Sequence, residues 1–425
     1  MILNKELIIQ LIKREVVPAI GCTEPVAVAL AVAKAVEELG NQPEHIQVYL
    51  SANVLKNAMG VGIPGTGMIG LPIAVALGAL IGKSAYELEV LKDLTPEALE
   101  AGKQMIAGQQ ITIALKEEIK ENLYIEAVCT REKDRVATVI SGSHTHFTRI
   151  EKNGRILFEE SVVEEKSESS ETTLNLQKVV DFALQTPLDD LRFILESARL
   201  NKNAAESAMQ QRYGHSLGQT LTGAYAKQIM GNSLLSKILS HTSSACDARM
   251  AGAMIPVMTN SGSGNQGITA TLPVAVYAEE THQSEEKLIR ALALSNLTVI
   301  YIKQYVGRLS ALCGCVVAST GAACGITYLM GGGYREISYA IKNMIANLTG
   351  MICDGAKPSC SLKVTSSVST AVFSAMLAME GKYVSALEGI IDEEVDQSIR
   401  NLASIGSVGM KETDRVVLEI MTGKI

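Results

Sequence analysis

Residues 61–82, 251–278 and 309–334 each run for 22 or more positions without a charged side chain. A stretch of that length is long enough to cross a bilayer, so its environment constrains the whole fold. Pro64, Gly65, Gly67 and Pro72 interrupt the first stretch, and Asn260, Ser261, Ser263, Asn265 and Gln266 interrupt the second. In lipid these positions would leave backbone groups unpaired. The chain has no Trp to mark a membrane interface. The three stretches are therefore expected to be buried core, with no membrane partner. Thirty-five glycines against five Phe point the same way, to closely packed helices of small residues joined by glycine turns. A length of 425 residues suggests two to three domains.

Charge narrows the function classes. A formal net charge of −7 with no basic block repels nucleic acid and anionic membranes. Near the start, Lys5, Lys13 and Arg14 alternate with Glu6 and Glu15, which leaves no apolar run for a secretion signal. A cytoplasmic location is expected, and the eight cysteines are expected to be reduced thiols available for metal or catalytic use. A homodimer is the expected assembly for an enzyme of this size.

Periodicity predicts a helix over residues 1–17, with Ile2, Leu3, Leu7, Ile8, Leu11 and Ile12 on one side. Gly21-Cys22-Thr23-Glu24-Pro25 opens a second helix that Gly40 should stop. A strand is expected over 46–54, and alternating runs over 123–129, 135–141 and 144–151 predict an antiparallel sheet. Helices at 95–109 and 189–201 bracket that sheet, and the acidic, serine-rich residues 159–173 read as a linker. Beyond residue 174 the pattern is helical. The expected fold class is α+β and predominantly helical. A Gly-rich catalytic domain (1–80 and 174–425) would carry a small inserted antiparallel α+β domain (81–173).

Chemistry concentrates in three places. Cys313, Cys315, Cys324, Cys353 and Cys360 crowd into 48 residues, and Cys313-Gly-Cys315 and Cys353-Asp-Gly-Ala-Lys-Pro-Ser-Cys360 sit among small residues where a metal cluster could approach the backbone. The spacing matches neither a zinc finger nor a ferredoxin. Ser261-Gly262-Ser263-Gly264-Asn265-Gln266-Gly267 precedes an apolar helix, a pattern that turns backbone N–H groups toward a carboxylate or phosphate. It lacks the P-loop lysine, which disfavours nucleotides. Cys22 lies where a helix begins, a position that lowers a thiol pKa. Cys129 and Cys246 read as small buried hydrophobes. His144 and His146 are expected on one strand face, in structural or substrate-orienting roles rather than as metal ligands.

Taken in order along nearly the whole chain, these motifs resemble the L-cysteine desulfidase family, relatives of the iron–sulfur L-serine dehydratase α-subunit and of UPF0597-type proteins. The resemblance implies a [4Fe-4S] cluster on three cysteines with one iron open for chemistry. Cys353 and Cys360 would be ligands and Cys313 the third, with Cys315 the alternative. Cys22 would serve as resting ligand or base. Ser261, Ser263, Gly264, Asn265 and Gln266 would hold the substrate carboxylate. The implied reaction is β-elimination of an amino acid, L-cysteine, to pyruvate, ammonia and hydrogen sulfide. The Cys-Thr-Glu-Pro segment and the ligand spacing match the desulfidase branch. The rival readings are an L-serine dehydratase with the same cluster and a non-catalytic cluster sensor.

Overall fold

The structure, a computed structural model, describes residues 5–116, 119, 121, 123–160, 173–307 and 310–423. Most of the expected 159–173 linker lies outside them. The fold is predominantly helical α+β, as expected. The first helix is Lys5–Glu15. The second, Thr23–Leu39, starts on Cys22 and stops at Gly40, whose N–H donates to Val36 O from a left-handed backbone (φ 81°). Only glycine adopts that conformation without steric cost.

Among the described residues, eight strands form two sheets. β1 (Pro18–Ile20) pairs antiparallel with β8 (Pro256–Met258) in a two-stranded ribbon. The larger sheet contains β2 (His45–Leu50), β3 (Ile111–Leu115), β4 (Tyr124–Arg131), β5 (Asp134–Ser141), β6 (Phe147–Lys152) and β7 (Arg155–Glu159), in the order β3-β2-β4-β5-β6-β7. β4 to β7 run as an antiparallel meander, but β2 and β3 pair in parallel, so the sheet is mixed. β2 is shorter than expected because Ser51 caps a new helix, Ala52–Ala58. The helix expected over 189–201 divides into Leu188–Leu191, a 3-10 turn and Leu195–Gln210.

The apolar interior has two large parts that do not follow the residue-81 boundary. One joins Val26–Leu39, Leu71–Ile81 and the inner face of the sheet. There Gly78 lets two helices meet backbone to backbone, since a Cβ on it would lie 2.6 Å from Ala29 O. The other is mostly helical and centres on Gly314–Leu329, which packs against Gly264–Glu280, Glu285–Val306, Tyr334–Leu348 and Cys360–Met379. All three uncharged stretches contribute to these interiors as short helices and turns. Among the described residues, one helix, Cys360–Met379, is long and apolar enough to cross a membrane, by length and composition alone.

Candidate active site

A cavity of about 100 Å³ lies where the two interiors meet, and it gathers nearly all the residues singled out in the sequence. Cys22, Ser261, Ser263, Asn265, Gln266, Cys313, Cys315, Cys353 and Cys360 all line it, although up to 338 positions separate them. The space suits a small metabolite, being a few times the ~30 Å³ share of one water molecule. Cys129, Cys246 and Cys324 are buried elsewhere, in a strand and two helices.

Two segments bring the thiols together by backbone pairing. Cys313 N–H donates to Met351 O (2.9 Å) and Cys353 N–H to Ala311 O (2.7 Å). Cys313 caps Gly314–Leu329, and Cys360 opens Cys360–Met379. Cys313 and Cys315 Sγ atoms are 3.1 Å apart, well beyond a covalent S–S bond. Cys313 also hydrogen bonds the Cys353 thiol, whereas Cys315 turns toward Met351 Sδ at 3.4 Å. The hydrogen bond with Cys315 raises the Cys313 pKa most, against the Cys353 contact that lowers it, and burial adds to the rise. The hydrogen bond with Cys313 and then burial raise Cys353, and burial raises Cys360.

These packed thiols stay protonated because ionising one places an anion among desolvated neighbours. A polycationic iron–sulfur cluster would relieve that penalty, so the donor set fits such a group. Among the described residues, no three Cys, His, Asp or Glu side chains converge on one point as a single metal ion requires. A cubane asks less, since each of its irons takes its own cysteine.

Another part of the lining is polar. Ser261 (φ 47°) and Gly262 (φ 80°) turn the chain sharply into Gly264–Glu280, a helix whose cap residue Ser263 makes no side-chain cap bond. The loop is held by Ser261 Oγ donating to Asn260 Oδ1, and by Asn260 Nδ2 donating to Asn296. Gly264 allows the helix to lie on Arg249, whose Nε a Cβ there would approach to 2.2 Å. The open first-turn N–H groups and the positive end of the helix favour an anion at this spot. Gln266 Oε1 and Asn265 Oδ1 are buried without a hydrogen-bond partner.

Cys22 departs from the expected low pKa. It does cap a helix, but burial pushes its thiol well up and the Glu24 charge pushes it further, against the smaller effect of Arg249. The protonated thiol donates to Glu24 Oε2 at 3.0 Å. Burial would raise the Glu24 carboxyl too. His144, the Cys22 hydrogen bond and Arg249 outweigh it and hold Glu24 below the ordinary carboxylate range. Thr23 Oγ1 and Asn57 Nδ2 also donate to this carboxylate. Thr23 Oγ1 lies 2.9 Å from Gly262 O as well, joining the two helix starts.

The two histidines separate instead of sharing a face. Residues 142–145 form a turn, so strand alternation does not apply there. His144 is buried against the cavity, while His146 is half-buried beside Glu160 and Ser141 O.

Sequence reading missed Glu24 as a functional group, together with Asn57, Arg249, Lys303 and Lys363, which also line the cavity. The available signal was chemical: Arg249 and Lys303 are charges on helical faces otherwise buried.

The comparisons with known proteins agree on the lineage. The serine dehydratase alpha chain family matches residues 85–419. A UPF0597 protein of Bacteroides fragilis is 67% identical over 422 residues, covering 99% of both chains. Another from Bacteroides thetaiotaomicron is 66% identical, covering 99% of this chain and 98% of its own. A UPF0597 protein of Oleidesulfovibrio alaskensis is 47% identical, covering 98% and 97%. This chain belongs to the serine dehydratase alpha chain family, among its UPF0597 members.

Proposed function

We propose that the chain is an iron–sulfur lyase that eliminates hydrogen sulfide from L-cysteine, leaving pyruvate and ammonia. The observation that carries this reading is one cavity lined both by the thiols of Cys313, Cys315, Cys353 and Cys360 and by the polar residues Ser261, Ser263, Asn265 and Gln266. Membership of the serine dehydratase alpha chain family supports elimination at a β-carbon as the reaction type.

Cys313, Cys353 and Cys360 are the residues that would hold a [4Fe-4S] cluster. Cys313 is favoured over Cys315 because it is the one that meets Cys353. When bound, the cluster supplies a soft Lewis acid for the departing sulfur. The chain's own groups do the rest. The 261–266 loop and the start of Gly264–Glu280 fix the substrate carboxylate. Cys22 is the base that removes the α-proton, as a thiolate that the positive charges of a bound cluster and of the substrate ammonium would stabilise against burial. Glu24 stays a carboxylate, held by His144 and Arg249, and its 3.0 Å hydrogen bond positions Cys22 before the thiol ionises. The cavity's burial keeps bulk water from competing for these donors. The enamine so formed tautomerises and hydrolyses to pyruvate and ammonia once released. A reducing cytoplasm would keep the thiols available.

The test is anaerobic reconstitution with iron and sulfide, followed by L-cysteine. Equal release of sulfide and pyruvate by a loaded protein is the expected result. Full activity in a protein that binds no iron would sink the mechanism. L-serine is the second reading, favoured by the family description, and faster pyruvate release from serine than from cysteine would establish it.

A further inference from the structure

An amino acid brings two charges, and only its carboxylate has so far been given a partner. Its ammonium group needs acceptors, because a buried cation left unpaired costs several kcal/mol. Glu24 and Gln266 line the same cavity from the two stitched helix starts. Asn57 donates to Glu24 Oε1 and Cys22 to Oε2, and Thr23 Oγ1 can give its one proton either to Oε2 or to Gly262 O. A carboxylate offers about four lone-pair sites, so at least one remains for a further N–H. Gln266 is 3% exposed, and its Oε1 has no partner. Asn265 Oδ1 stands likewise on the adjacent residue. Buried acceptors without partners are rare and mark places where a donor belongs. Other charged groups on the cavity wall, Arg249, Lys303 and Lys363, are cations that would repel an ammonium, so the negative charge available to it is that of Glu24.

We infer that Glu24 and Gln266 form the subsite for the substrate's α-ammonium group and so restrict the cavity to α-amino acids over the corresponding simple acids. This rests on reading the cavity as an amino-acid site. The carboxylate would lie over the first turn of Gly264–Glu280 and the ammonium between Glu24 and Gln266. That leaves the side chain directed to the thiol wall.

L-Alanine and propionate separate the question from catalysis, since they differ at the ammonium position and neither has a leaving group. Their affinities for the anaerobically reconstituted protein are measured by ligand-observed NMR titration. Wild type should prefer L-alanine by roughly tenfold or more, and Glu24→Gln should weaken L-alanine by roughly 10- to 100-fold while leaving propionate within about twofold. Gln266→Met should weaken L-alanine in the same direction by a smaller factor, and it carries the test if the first variant does not fold. Equal binding of the two ligands by wild type would overturn the inference. So would Glu24→Gln losing turnover while keeping its preference for L-alanine, which would confine Glu24 to positioning Cys22. The preference for L-alanine in a protein that eliminates neither sulfide nor water would support the subsite and refute the proposed reaction.

Discussion

The two halves of the cavity are built on different principles. The helical body presents sulfur, on helix starts fixed by close backbone contact through glycines and small residues. The sheet-bearing half presents polar and titratable groups, Glu24 on a helix that packs against the sheet, Asn57 on the short helix after β2 and His144 on the turn before β6. Soft ligands need position and little else, so rigid packing suffices. Titratable groups need tuned surroundings, and a turn and two helix faces allow several partners to converge on one carboxylate.

Substitutions on the two sides should therefore fail differently. The largest effect is expected from Cys353→Ala, which should lose bound iron and, with it, roughly a thousandfold or more of sulfide release. Cys315→Ala should retain more of both than Cys313→Ala, and equal losses would break the distinction drawn between the two thiols. Next comes the tie between the halves, the ion pair of Lys56 with Asp414 on helix Lys411–Thr422. The Lys56 side chain is 1% exposed, so Asp414→Asn leaves a buried cation without its counter-charge. Urea unfolding should show a loss of roughly 3–5 kcal/mol.

Glycines offer a smaller and more pointed contrast. A Cβ on Gly267 would sit 2.0 Å from Met258 O, a rigid backbone atom. On Gly154, in the β6–β7 turn, it would meet nothing within 4 Å, though the backbone there is left-handed (φ 81°). Gly267→Ala should cost about 3 kcal/mol and Gly154→Ala about 1 kcal/mol in the same unfolding assay, and equal costs would show that space is not what the helical body requires.

The smallest effect concerns alkaline pH and should be alike in both halves. Burial pushes Cys129 in the sheet and Cys324 in the helical body up to about 12. A group raised on folding contributes stability that is complete below its unfolded pKa, near 9, and is lost as pH rises toward 12. At pH 9.5 the loss should be less than about 1 kcal/mol per thiol. Cys129→Val should flatten this part of the stability profile, and an unchanged slope would show that this thiol ionises as easily folded as unfolded.

Much of the site could be read from sequence because cysteines and glycine loops carry their chemistry in residue type and spacing. The helix starting beyond Cys22 and the Ser261–Gly267 turn depend on local backbone preference, and both appear where expected. What escaped depends on distant partners. β2 with β3 is a parallel pair bridged by some sixty residues, and β1 with β8 joins segments more than two hundred apart. No local pattern announces such pairings. The Cys22 pKa failed for a related reason. A helix start acts within one turn, whereas desolvation and the Glu24 charge depend on the assembled interior. His144 was placed on a strand face because alternation was extended through a glycine turn.

The reciprocal backbone pairing of residues 311–313 with 351–353 is made entirely of peptide groups. On the proposed reading, Cys313 and Cys353 therefore take their spacing from one backbone bridge, and anything that opened it would shift two ligand positions together.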